Sequence, residues 1–165
     1  MDISYKLKTE GIDKLLRKLT DSKLHVDVGI LGAQARVIHP STSEDKNKKT
    51  VAQIGSYHEY GKPQAHIPQR SFLRWPIFDE LLPTLLERFQ MKYLVNLLLY
   101  DPQGFMTAIG TTALQVIDNA FDRGGTTLRS WQSLNPKYAK TKQTDQILVE
   151  TKTLKNSISY RIGGE

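Results

Sequence analysis

The sequence predicts an α+β fold in which a small sheet of N-terminal strands and a closing C-terminal strand packs against a long αα-hairpin. Three observations predict it. Apolar residues alternate with polar ones near both ends of the chain, the middle carries the longest run of helical spacing, and an Asp-Pro step divides that run in two. With 165 residues, 39% of them hydrophobic and 24% charged, the whole chain from 1 to 165 suits one domain with one core.

Ile3, Tyr5 and Leu7 alternate as in a strand with one buried face. Ile12, Leu15, Leu16 and Leu19 then fall on one side of a helix, with Lys14, Arg17 and Lys18 on the other. Leu24, Val26, Val28 and Ile30 predict a second strand, punctuated by Gly29 and Gly32. Residues 32–49 hold few large apolar groups and end in a mixed-charge run, so a long, flexible, solvated loop is expected. Thr50 is placed to cap a helix through Val51, Ile54, Tyr57 and His58, and Gly61 to end it in the left-handed region. Pro63 and Pro68 make the stretch between them an extended connector.

Leu81, Leu82, Leu85, Leu86, Phe89, Tyr93, Leu94, Leu97 and Leu98 recur at spacings of three and four, predicting one long helix over 77–99. Asp79 is its expected cap, and Pro83 places the helix proper from about Leu82. After Asp101-Pro102 a second helix runs from about Gln103 to Asp122, with Phe105, Ile109, Ala113, Leu114, Ile117 and Phe121 inward, and stops at Gly124-Gly125. The polar stretch beyond carries isolated anchors at Leu128, Trp131, Leu134 and Tyr138 and reads as loop plus one short helix. A turn over Thr151–Asn156 leads to the closing strand at Ile158, Tyr160 and Ile162.

Twenty-three Lys and Arg against seventeen Asp and Glu give a net charge of +6, and no segment concentrates it. There is no cysteine, which excludes disulfides, thiolate metal sites and Cys nucleophiles. No signal peptide and no membrane span are expected: the longest apolar run, Leu94 to Tyr100, is short and interrupted by Asn96.

The catalytic patterns fail on spacing. His58-Glu59 would need a second His at position 62, which is Lys62, so His58 and His66 read as structural or interfacial. Gly55 to Lys62 has five residues between its glycines where a phosphate-binding loop has four, and Pro63 stands where the magnesium-binding hydroxyl belongs. The acid pairs Glu44-Asp45 and Asp79-Glu80 are adjacent residues in a polar loop and at a helix start, where the helix dipole explains the latter. No enzyme, cofactor or metal is expected. Arg129, Lys137, Lys140, Lys142, Lys152 and Lys155, interleaved with Trp131 and Tyr138, leave a basic nucleic-acid-binding module as the alternative.

The segment Val51 to Arg74 joins a short helix ending in His-Glu-aromatic-Gly to an Ile-Pro-x-Arg-Ser-Phe-Leu-Arg lead-in to the long helix. It resembles the virion-morphogenesis family of tailed bacteriophages, the neck or tail-completion proteins of the head-to-tail junction, at Glu59, Tyr60, Gly61, Pro68, Arg70, Phe72, Leu73 and Arg74. Thr151, Leu154, Ser157 and Ile158 match the family's closing segment, although Lys152 replaces its glycine and argues against a tight left-handed turn. Val28-Gly29-Ile30 and Trp131-x-x-Leu134 also follow in the family's order.

The resemblance implies a virion structural protein, assembled in the host cytoplasm into a closed ring, a homohexamer, at the neck. Its implied partners are further copies of itself, the head-closure or connector protein and the tail tube or tail-terminator protein, with non-specific contact to genomic DNA in the channel. Arg70 or Arg74 is expected to pair with Glu59, within a subunit or between two, while Phe72 anchors inward.

Overall fold

A computed structural model of the chain describes residues 17, 23–40, 47–141, 147–148 and 152–164. The strand expected at 3–7 and nearly all of the helix expected at 12–19 lie outside the described residues, as does Thr151.

Among the described residues two strands form the sheet. β1 (His25–Ile30) pairs antiparallel with β2 (Ile158–Gly163), from His25 opposite Gly163 to Ile30 opposite Ile158. Helix α1 (Val51–Tyr60) and the longest helix, α4 (Pro102–Arg123), pack against this sheet. Gly110 of α4 lies so close under the Tyr160 ring that an added Cβ has no room there. Helices α2 (Arg74–Arg88) and α3 (Met91–Tyr100) both lie along α4, and two short helices, α5 (Pro136–Thr141) and α6 (Thr153–Asn156), precede β2.

The expected helical hairpin is present, but its first arm is broken. Phe89 and Gln90 are extended, with ψ of 135° and 141°, so one predicted helix becomes α2 and α3. The break costs no burial: Leu85, Phe89, Leu94 and Leu97 converge on Ala108 and Phe105 of α4 in one apolar cluster. Periodicity therefore continues across the break, which is why spacing alone does not reveal it. Asp101 ends α3 and caps α4 through its carboxylate, which accepts from the Gly104 N–H at 2.9 Å. Gly124, left-handed at φ 73°, ends α4 where expected.

Four other expectations are corrected. Helix α2 begins at Arg74, eight residues before Leu82, and carries Pro83 in its interior; Asp79 sits in its second turn and caps nothing. The expectation for the loop at 32–49 is not among them: a 3-10 turn covers Gly32–Arg36 and an Ile38–Thr50 bridge spans its base, while 41–46 lie outside the described residues. Lys62–Gln69 is no extended connector: Pro63–Ala65 form a 3-10 turn, His66 is left-handed, and Lys62 and Ile67 exchange backbone hydrogen bonds, so polar groups that a sheet does not pair are paired locally. Lys152 adopts φ 55° and makes the left-handed turn that its side chain argued against, a backbone cost of about 1 kcal/mol. Gly61 has a positive φ of 78° but an extended ψ of 158°, and a Cβ there would crowd the Gln69 N–H at 3.1 Å.

The principal core unites α1, α4 and the motif segments: Val51, Phe72, Ile117, Ala120, Phe121, Trp131 and Leu154 are all buried in one cluster. Phe121 takes the Phe72 ring on one side at 5.5 Å and the Trp131 ring edge-on at 5.6 Å.

Candidate functional site

Thr50 starts α1 with a reciprocal capping box to Gln53, and nine residues later α1 delivers Glu59 to the start of α2. The Glu59 carboxylate is buried, 5% exposed, and accepts five hydrogen bonds from four consecutive residues. Its Oε2 takes the N–H groups of Phe72 and Leu73, both at 2.9 Å. Its Oε1 takes the Ser71 hydroxyl at 2.6 Å, the Arg74 N–H at 3.2 Å and the Arg74 Nε at 2.8 Å. A helix start leaves four N–H groups without intrahelical acceptors. In α2 the Arg74 N–H goes to Glu59, the Trp75 N–H to the Ser71 hydroxyl, residue 76 is proline, and the Ile77 N–H reaches the Leu73 carbonyl. The cap of α2 is thus a side chain from α1, and that is why no local residue announces it.

The ion pair expected of Glu59 exists within the chain and uses Arg74, whose guanidinium also lies 4.5 Å from the Tyr60 ring. Arg70 does not join it. Arg70 is buried and donates from Nε and Nη2 to the carbonyls of Gln132 and Ser133, which fixes the segment beyond Trp131. Trp131 is buried too and donates from its indole to the Ser71 carbonyl. Pro68 lines the groove of 890 Å³ that separates the 63–67 turn from residues 132–136. Of the closing segment, Leu154 is in the core and Ser157 donates to the Thr153 and Leu154 carbonyls, ending α6.

One turn into α2 a second acidic site appears. Asp79, its side chain 1% exposed, meets Arg129 at 3.1 Å and the Thr126 hydroxyl at 2.8 Å. Glu80 meets Arg123 at 2.5 Å and the Thr127 N–H at 2.6 Å. Together they clamp the turn after α4, where Gly125 bridges Ser130 and a Cβ on Gly125 would strike the Arg129 carbonyl at 2.3 Å. Sequence reasoning missed Ser71, Asp79, Glu80 and Thr126 as a framework, and no local signal marks them, because their partners lie up to 60 residues away.

What this framework presents outward is apolar. On α2, Phe78, Leu82 and Leu86 recur every fourth residue with exposures of 82%, 63% and 39%, and Leu128 on the clamped turn is 74% exposed. Arg129, held by Asp79, lies over the Phe78 and Trp75 rings at 5.8 and 5.5 Å. Among the described residues no three His, Cys, Asp or Glu side chains are grouped to hold a metal ion, and no helix is long and apolar enough to cross a membrane. No protein family, curated protein or solved structure matches the chain.

Proposed function

We propose that the chain is a structural protein of a tailed-phage virion, forming a closed ring at the head-tail junction that completes the tail and joins it to the head-closure complex. The observation that carries this reading is the outer face of α2. Three large apolar side chains at helical spacing face water on a helix whose start and second turn are fixed by buried carboxylates. Contiguous exposed apolar surface on a rigid element is what an assembling subunit presents. The motif residues support the same reading: Glu59, Arg70, Phe72 and Arg74 hold chain segments together and so keep that face in shape. A ring needs two different patches that meet repeatedly until the rotation closes.

The alternative, a nucleic-acid-binding module, draws on the net charge of +6. Three of its residues already have partners or are covered, which weighs against that reading: Trp131 is buried, Arg129 pairs with Asp79, and Lys155 with Asp118 and Asp122. Sedimentation of the purified chain over a wide concentration range tests the proposal. Concentration-dependent assembly into one closed species, lost in Phe78→Glu with Leu82→Glu, is the expected result. A monomer at every concentration that retains DNA with steep salt dependence favours the alternative instead. Particles made without the protein are expected to show separate, unjoined heads and tails by electron microscopy.

A further inference from the structure

A cleft of 460 Å³ opens between the end of α2, the middle of α4 and the start of β2, away from the Glu59 junction. Its floor is aliphatic, from Leu114, Ile117 and Ile158, and its rim is polar, from Arg88, Gln115, Asp118 and Lys155. Its volume falls in the range of about 300–1,000 Å³ of small-molecule sites, and it is open to solvent.

The charges at the rim differ in one respect. Lys155 sits 2.8 Å from both Asp118 and Asp122, and those carboxylates are more than half exposed to water. Arg88 has no carboxylate among the described residues: its Nη1 donates to the Thr112 hydroxyl at 3.1 Å, and its guanidinium lies 5.3 Å from the Phe89 ring. By contrast Arg74, Arg123, Arg129 and Arg161 each meet an acid of this chain. Thr112 is fully buried and the partly buried Phe89 packs against the second core cluster, so the exposed Arg88 side chain has two contacts that orient its planar fork. A guanidinium fixed beside an aliphatic floor, with one N–H engaged by a neutral hydroxyl, retains donors in the geometry that takes a carboxylate.

We propose that this cleft binds a carboxylate on an aliphatic stem, the carboxylate against Arg88 and the stem on Leu114, Ile117 and Ile158. Two sources carry that chemistry, a free short-chain acid and a glutamate side chain of a neighbouring protein chain. With a free acid the proposal is independent of the ring reading, because the cleft lies on residues that the α2 outer face does not use; with a second chain's glutamate it rests on that reading.

Titration with hexanoate, followed by shifts in amide NMR signals, tests it directly. Saturable shifts at residues around Leu114 and Ile158 are expected, with a Kd on the order of 1 mM for so small a ligand. Hexanol, which keeps the stem and removes the charge, is expected to bind at least about tenfold more weakly, and Arg88→Gln to lower hexanoate affinity by a similar factor. Gln115→Glu provides a variant that leaves the Arg88 tether to Thr112 in place: a carboxylate of the chain's own at the rim competes for the guanidinium and is expected to abolish the hexanoate shifts. If free hexanoate produces no shifts but the self-association measured by sedimentation is weakened by Gln115→Glu and by Arg88→Gln, the carboxylate comes from a second chain and the proposal stands. Equal binding of hexanoate and hexanol, or no shifts together with self-association unchanged in both variants, leaves Arg88 as a cation at the end of α2 and overturns it.

Discussion

Glu59 and the Asp79-Glu80 pair both bring negative charge against α2, and they hold it in different ways. Glu59 gathers backbone N–H groups: three of its five donors are amides at the start of α2, all within residues 72–74. Asp79 and Glu80 reach across the chain to Arg123, Thr126, Thr127 and Arg129, and the two arginines are 44% and 41% exposed. Removing the first acid strands donors that water does not reach, whereas removing Glu80 returns Arg123 to solvent. The lesson is that the worth of a buried carboxylate depends on whether its partners have water as an alternative, more than on the distance of any single ion pair.

The largest effect is expected at Glu59. Glu59→Ala leaves the Phe72 amide and the Ser71 hydroxyl buried without their acceptor and is expected to destabilise the fold by about 3–5 kcal/mol in urea unfolding. Glu59→Gln keeps one acceptor oxygen and sets an amide N–H₂ against the remaining donors, for a loss of about 1–3 kcal/mol. If Glu59→Gln proves as damaging as Glu59→Ala, the charge and the Arg74 pair matter more than the amides. Glu80→Ala comes next, at about 1–2 kcal/mol, since the exposed Arg123 rehydrates. Its sharper signature is local: faster proteolytic cleavage within residues 124–130, the turn that Glu80 and Asp79 hold. Equal losses for Glu59→Ala and Glu80→Ala would break the comparison.

The contrast also explains what the sequence discloses and what it hides. β1, α1, α4 and β2 are written locally, in alternation, in the Thr50 and Gly61 boundaries, and in the Asp101-Pro102 and Gly124 stops. A Glu59 pairing with Arg70 or Arg74 was legible because all three fall in one proline-stiffened motif, Glu59 and Arg74 lying fifteen positions apart, but the choice of Arg74 was not. The start of α2 was not, because its cap comes from another helix. Nor was the break at Phe89 and Gln90, because the apolar face meets α4 on both sides of it. Asp79 and Glu80 look like ordinary first-turn acids until Thr126, Thr127 and Arg129 are brought beside them. Leu82 and Leu86 show the same blindness in reverse: spacing puts them on an apolar stripe, and only the fold shows that they face water, together with Phe78.

A third arrangement extends the comparison to the surface. Lys155 bridges Asp118 and Asp122, whose side chains are 57% and 55% exposed. Burial pulls the Lys155 amine down, but the hydrogen bonds to Asp118 and Asp122 outweigh it and hold the amine above its ordinary value of 10.5. A pKa raised on folding adds stability that is fully present below the unfolded value and is lost as pH rises through the folded one. Lys155→Met is therefore expected to lower the urea midpoint by a constant, small amount from pH 6 to 9, with the gap to the parent chain narrowing above about 10.5.

The smallest effect belongs to Asp27, partly exposed on the sheet and paired at 2.7 Å with Arg161 on the neighbouring strand. The hydrogen bond from Arg161 holds the Asp27 carboxyl below its ordinary 3.8, against the opposing effect of burial. Here the sign reverses: a depressed pKa adds stability that is present above the unfolded value and is lost as pH falls through the folded one. Asp27→Asn is expected to shift the urea midpoint barely at pH 7, and the two chains are expected to converge once the pH is well below 3.8. A gap that persists in acid would mean that Asp27 acts through the strand pairing of β1 with β2 and not through its charge. That result would place an exposed carboxylate beside Glu59, whose worth lies in backbone amides, and would reduce the difference between surface and interior on which the first two predictions rest.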